Sequence, residues 1–220
     1  MFNFYMSSDK REITSSVTHF AAALLALVGC VKLAIYAFHA GGLKEFASVL
    51  VFGVSMILLY SASAVYHWID DAKARAKAIM RQVDHIAICF LIAGTYTPIC
   101  VLTLGHPIGT WMLAAVWGIA VFGLFMKIFW MNAPHPISCG LYLAMGWVCI
   151  CAIKPLAANL HPWGIFWLAA GGLIYTAGGL IYGFEKPDIK LKWFGSHELF
   201  HLFVIGGSVC HYVTVYFFVA

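Results

Sequence analysis

The stretch HELFHLFVIGGSVCHYVTVYFFV, residues 197 to 219, carries no acidic or basic side chain beyond Glu198 and its histidines. A helix needs about 20 mostly apolar residues to cross the hydrocarbon core of a bilayer. The apolar residues do not alternate with polar ones, which favours a helix over a strand of a membrane barrel. The stretch therefore predicts a membrane-spanning helix with two histidines, His197 and His201, at its start.

Six further stretches of the same kind precede it. They lie near residues 16–38, 46–68, 84–104, 110–130, 137–157 and 163–184. Hydrophobic residues make up 63% of the chain and charged residues 10%, and the mean hydropathy is +0.89, values that exclude an ordinary soluble domain. We expect an all-α polytopic membrane protein, a bundle of seven transmembrane helices forming a single domain over residues 1–220, with the lipid bilayer as its surroundings.

The distribution of lysine and arginine predicts the orientation of the bundle, because positive residues are retained on the cytoplasmic side. Ten fall in one set of connections: Lys10, Arg11, Lys73, Arg75, Lys77, Arg81, Lys127, Lys186, Lys190 and Lys192. The opposite set holds Lys44 and Lys154. The amino terminus is therefore predicted inside and the carboxyl terminus outside. The net charge of +4 follows from this asymmetry and does not indicate nucleic-acid binding.

Ionisable side chains within spans are costly and are functional candidates by default. His67 closes the second span, Asp84 opens the third, and His197 and His201 open the seventh. In the predicted topology these three helix ends share the inner level of the membrane. Ser63 lies one turn before His67 and on the same helical face.

Three imidazoles at one depth suit Zn²⁺ and leave a fourth tetrahedral position for water, as in catalytic zinc sites. Asp84 is then a natural acceptor for that water's proton, and Ser63 a donor to a substrate carbonyl or oxyanion. Other interpretations stay open. His67 alone is typical of an interfacial histidine, and Asp84 could cap its helix.

The chain resembles the haemolysin III family, the bacterial branch of the progestin and adipoQ receptors, which is related to the alkaline ceramidases. The matching pieces are EITSSVTH from Glu12, SASAVYH, VDHIAICFLIAGTYTP, YLAMGW and SHELFHLFVIGGSVCH. The resemblance implies a zinc held by His67, His197 and His201, with Asp84 linked to a water. It also implies a role in lipid homeostasis and a place in the bacterial cytoplasmic membrane, with the zinc near the cytoplasmic face.

Two other short motifs bear on the structure. Glu12, Ser15 and His19 match a family element at the inner end of the first span; they could border the zinc site or cap the helix entry. The stretch GGLIYTAGGLIYG, residues 171 to 183, indicates close packing between helices, and Pro98 predicts a kink in the third span.

Residues 197 to 201 also read as HExxH, the zinc motif of metalloproteases. An intramembrane protease needs a further ligand from an Asp-containing segment, and the only late aspartate is Asp188, in a lysine-flanked loop. We expect Glu198 to be a solvated side chain. The sequence therefore favours a zinc-dependent hydrolase of a lipid amide or ester, with a membrane lipid or fatty acid bound inside the bundle. The alternative is a lipid-sensing receptor with a structural zinc.

Overall fold

The computed structural model describes residues 9–189 and 191–220. Lys190 and residues 1–8 lie outside that range. The described residues form α-helices with short connections. These are α1 (Lys10–Ala40), α2 (Leu43–Trp68), α3 (Ala74–Pro98), α4 (Ile108–Phe129), α5 (His135–Trp147), α6 (Ile153–Asn159), α7 (Pro162–Phe184) and α8 (Ser196–Phe218).

Within the described part of the chain, seven helical segments are long and apolar enough to cross a membrane, which confirms the predicted seven-helix bundle. The fifth is not one continuous α-helix. It consists of α5, a 3₁₀ segment at Val148–Ala152 and α6, so that it spans His135–Asn159 in three pieces. The seventh span is α8, which begins at Ser196, one residue before the first of its histidines.

The third span begins ten residues earlier than its apolar run. A short 3₁₀ turn at Asp71–Lys73 leads directly into α3 at Ala74. Alanine, lysine and arginine are strong helix formers, so the polar segment after Asp71 continues the helix beyond the apolar run. Asp84 therefore lies in the third turn of α3, and the interpretation of Asp84 as a helix cap is wrong.

Buried side chains form two clusters along the bundle. One joins α1, α2, α3 and α8 around Leu33, Phe52 and Leu91. The other joins α3, α4 and the fifth span around Cys100, Val116 and Met145. Large apolar side chains such as Leu25, Leu173 and Phe217 are at least 61% exposed and form the surface that faces lipid. The interior holds other large apolar side chains together with small residues and a set of buried polar ones.

Glycines of α7 permit close contact on two sides. A Cβ at Gly178 would lie 2.7 Å from the Cβ of Phe203 in α8, and one at Gly183 would lie 3.1 Å from the Sγ of Cys139 in α5. The first distance is shorter than real Cβ atoms show, and the second is tighter than most real Cβ contacts. The predicted small-residue packing is therefore confirmed, and it sets α7 between α5 and α8.

Pro98 ends the α-helical part of the third span. The chain continues as a π-helix over Ile99–Leu104. A proline provides no backbone N–H and its ring displaces the preceding carbonyl, so the α-helical hydrogen-bond ladder changes at this point. The change lies fourteen residues beyond Asp84 along the same span.

Candidate metal centre

His67, His197 and His201 converge on one point at one end of the bundle. Their candidate ligand nitrogens all lie within 4.8 Å of one another, which makes them a group that could hold a metal ion. The Nε2 atoms of His67 and His197 are 3.3 Å apart. His67 and His201 are each 2% exposed. The common depth inferred from the sequence is therefore present in the folded chain.

The helices that carry these side chains explain why they meet. His67 lies in the last turn of α2, and the pair His197 and His201 occupies the first two turns of α8. Residues four apart share one face of a helix, so both α8 imidazoles point the same way. The ring centroids of His67 and His201 are 5.0 Å apart, and those of His197 and His201 are 4.5 Å apart.

Helix α1 supplies an acidic partner to one of the three histidines. The Oε2 atom of Glu12 lies 3.2 Å from Nδ1 of His67 and 3.2 Å from Nζ of Lys77. A carboxylate at Nδ1 holds the proton on that nitrogen, which leaves Nε2 of His67 with a free lone pair. Nε2 is the atom that faces His197, so Glu12 presents the correct nitrogen to the centre.

The hydrogen bonding of one buried nitrogen indicates whether the three histidines suit a metal ion. Nδ1 of His201 is buried and has no hydrogen-bond partner within residues 9–189 and 191–220. Leaving a buried ring nitrogen unpaired costs about 1–3 kcal/mol. Three neutral imidazole nitrogens are a donor set that zinc prefers. The three histidines could therefore hold a metal ion, and their donor set is one that suits zinc.

His19 lies against the same centre. Its ring stacks on that of His201, with centroids 3.8 Å apart and an angle of 14° between the planes. His19 is 2% exposed, and among the described residues neither of its ring nitrogens has a hydrogen-bond partner. Asp9, not Glu12 or Ser15, caps α1 by accepting a hydrogen bond from the Arg11 amide at 2.8 Å. The face formed by Glu12, Ser15 and His19 borders the site instead.

Asp84 and Ser63 lie at the edge of the three histidines. Both are buried, at 8% and 1% exposure, and the Ser63 hydroxyl hydrogen-bonds the Asp84 carboxylate. Of the three histidines, His67 is the one with which that carboxylate interacts electrostatically. Its Oδ2 atom also lies 3.6 Å from Nδ1 of His85. Asp84 is not in the group of atoms that could ligate the ion, so its position suits a neighbour of the ligands.

Glu198 occupies a structural position, and the expectation of a solvated side chain is wrong. It is 4% exposed. Its Oε2 atom accepts a hydrogen bond from the amide of Gly195 at 2.7 Å, and its Oε1 atom accepts one from the Ser15 hydroxyl at 2.9 Å. The first bond satisfies an amide at the start of α8, and the second joins α8 to α1. Both carboxylate oxygens are thus engaged in holding the helix that carries His197 and His201.

The sequence is similar to those of known proteins. A model of the family described as haemolysin-III related matches residues 8–212, which include every residue of the candidate centre. The chain belongs to this family. It is 38% identical over 210 residues to Hemolysin-3 of Bacillus cereus, covering 96% of this chain and 92% of that protein.

Two further relatives show how widely the sequence is shared. The Hemolysin-3 homolog of Bacillus subtilis is 38% identical over 213 residues, with 97% of this chain and 96% of that protein covered. The ADIPOR-like receptor IZH2 of Saccharomyces cerevisiae is 24% identical over 179 residues, with 72% of this chain and 55% of the yeast protein covered. This haemolysin-III related chain is therefore an integral membrane protein whose bacterial relatives match it over nearly their full length.

Reasoning from membrane depth and charge along the sequence did not predict the contacts that α1 makes. Glu12 and Ser15 each touch a partner far along the chain, at His67 and Glu198, which only helix packing brings near. A signal was nevertheless present. Glu12, Ser15 and His19 follow the i, i+3, i+7 spacing of one helical face, and three polar residues on one face of a span indicate a buried polar contact.

Proposed function

We propose that this member of the haemolysin-III related family is a zinc-dependent hydrolase of an amide or ester bond in a membrane lipid, acting in membrane lipid homeostasis. The observation that carries the proposal is the group of three imidazoles within 4.8 Å, with a buried carboxylate beside it. Zinc bound by His67, His197 and His201 would supply Lewis-acid activation of a water molecule and of an acyl carbonyl.

The protein's own residues then have distinct tasks. Asp84 accepts a proton from the attacking water at its carboxylate, and returns it to the leaving amine or alcohol as the bond between acyl carbon and nitrogen or oxygen breaks. Ser63 orients that carboxylate through its hydroxyl. The buried surroundings of both residues exclude bulk water, which strengthens each hydrogen bond to the reacting atoms.

The substrate side of the proposal rests on the bilayer. The apolar outer surface places the chain in lipid, and the centre is formed by α2 and α8 with Glu12 of α1 and Asp84 of α3 beside it. We propose that a membrane lipid or a fatty acid occupies a cavity inside the bundle, with its acyl carbonyl at the histidine centre. Such a lipid reaches the centre from the membrane without passing through water.

Removal of the metal tests this proposal. Wild-type protein in lipid discs of bacterial lipid extract is expected to release fatty acid, measured by mass spectrometry. A chelator should abolish the release and added zinc should restore it, because the water has no other Lewis acid. His201→Ala serves as a matched variant that should not respond to zinc. If zinc-loaded protein releases no fatty acid yet retains co-purified lipid only while metal is present, the lipid-sensing receptor replaces the hydrolase.

We also propose that the centre faces the cytoplasm. The charge distribution puts the polar segment after α2, from Asp70 to Gln82, inside and Ala220 outside. Cysteine labelling from outside intact cells is expected to modify a cysteine introduced at Ala220 and to spare one introduced at exposed Ala72. Labelling of both positions from the same side would contradict the inside placement of the centre.

A further inference from the structure

We infer that His19 donates a hydrogen bond to the acyl oxygen of the lipid bound at the histidine centre. The inference deepens the proposed function and rests on it for the identity of the ligand. Its starting point is a buried imidazole, 2% exposed, with two ring nitrogens that have no partner among the residues the structure describes.

Two unpaired ring nitrogens are unusual for a buried histidine that serves only packing. A neutral imidazole has one N–H donor and one acceptor nitrogen. Buried donors in native proteins nearly always have a partner, and each unpaired one costs about 1–3 kcal/mol. The ring of Tyr60 meets the His19 ring edge-on at 5.2 Å between centroids and offers it no hydrogen bond. The Tyr60 hydroxyl instead donates 2.5 Å away, to Ser208 Oγ.

The position of His19 indicates what the partner is. Its ring lies parallel to that of His201, 3.8 Å away, on the same side of the bundle as the candidate zinc ligands. The His19 ring is therefore next to the place where a group bound at the three imidazoles would lie. In an acyl lipid the group that reaches the centre is the carbonyl or carboxylate, whose oxygen is an acceptor without a hydrogen of its own.

The other donors near the centre are already engaged. The hydroxyl of Ser63 carries one hydrogen, and it is directed to the Asp84 carboxylate. The hydroxyl of Ser15 donates to Glu198 at 2.9 Å. His67 Nδ1 is held by Glu12. His19 is a buried donor beside the histidine group that meets no acceptor in good hydrogen-bond geometry within the described residues, and it supplies a preorganised contact to the charge that develops on the acyl oxygen.

The test uses a fatty acid as probe and three variants. His19→Phe keeps a flat ring that stacks on His201 and removes both nitrogens. His19→Gln returns a donor without the ring. His211→Phe is the matched control, because His211 is also buried with an unpaired Nδ1 but lies ten residues beyond His201 on α8. Zinc content and the affinity for palmitate are measured for each purified protein.

We expect His19→Phe to retain its zinc and to bind palmitate about 10-fold more weakly, because one buried hydrogen bond contributes roughly that factor to the affinity. His19→Gln should recover part of the affinity, and His211→Phe should bind as the wild type does. Palmitate binding unchanged in His19→Phe, or absent from the wild type, overturns the inference. Loss of zinc in His19→Phe also overturns it, because His19 would then act by positioning His201.

Failure of the proposed function gives a different result. A wild-type protein that releases no fatty acid from any amide or ester lipid is not a hydrolase, yet palmitate affinity in the three variants still decides whether His19 contacts an acyl oxygen. The two questions are thus separated by measuring binding and turnover on the same preparations.

Discussion

Replacing His201 by alanine is expected to leave the purified protein with far less zinc than the wild type, which should carry about one zinc per chain. The physical reason is that three imidazoles within 4.8 Å are the candidate protein ligands among the described residues, and the two that remain hold zinc far more weakly. His67→Ala and His197→Ala should have the same effect. Elemental analysis of protein purified in detergent measures it, with His106→Ala, an exposed loop histidine, as the control.

A smaller loss of zinc affinity is expected when Glu12, which contacts Nδ1 of His67, is replaced. Glu12→Gln removes the charge that holds the Nδ1 proton of His67, and outer partners of this kind control metal affinity by roughly 10- to 100-fold. Competition with a zinc chelator measures that affinity. Glu45→Gln, in the first turn of α2 at the opposite end of that helix from His67, is the matched control. A protein that loses all three histidines and still holds one tight zinc would place the site elsewhere.

The convergence of these histidines follows from simple physical reasoning about the sequence. Polar groups are expensive in lipid, so the few that occur within spans mark the site, and counting spans places His67, Asp84, His197 and His201 at one level. The same reasoning cannot show which side chains of neighbouring helices touch. Contacts such as Glu12 with His67 depend on how α1 rotates against α2, and nothing local in the chain specifies that rotation.

Two other features depended on local energetics that hydropathy does not measure. The start of α3 at Ala74 follows from helix propensity in a polar segment, so a hydropathy boundary at Asp84 placed the helix end too late. The burial of Glu198 follows from the unpaired amides at the start of α8, which a carboxylate three residues after Gly195 can satisfy. In both cases backbone hydrogen bonding determined the outcome.

Asp84→Asn is expected to keep most of the zinc and to lower lipid turnover by about 10²- to 10⁴-fold, the contribution of a general base. The three histidines remain, so the metal is retained, but an amide cannot accept the proton of the attacking water. Glu198→Gln should change turnover little, because both oxygens of Glu198 hold Ser15 and the Gly195 amide. The cost of that change should instead be measurable as a lower unfolding temperature.

The same two variants separate the three classes of function. A protease that uses the HExxH glutamate predicts the reverse order, with Glu198→Gln inactive and Asp84→Asn mildly affected. A receptor predicts no turnover in any variant, with lipid binding altered when His67, His197 or His201 is lost. Turnover and zinc content are measured on the same samples, so that a fall in activity is not confused with loss of metal. An Asp84→Asn protein with wild-type turnover would exclude Asp84 as the proton acceptor. Among the described residues, Asp84 is the buried carboxylate beside His67 that can take this role. Glu198 cannot replace it, because both of its oxygens already accept hydrogen bonds from the Gly195 amide and the Ser15 hydroxyl.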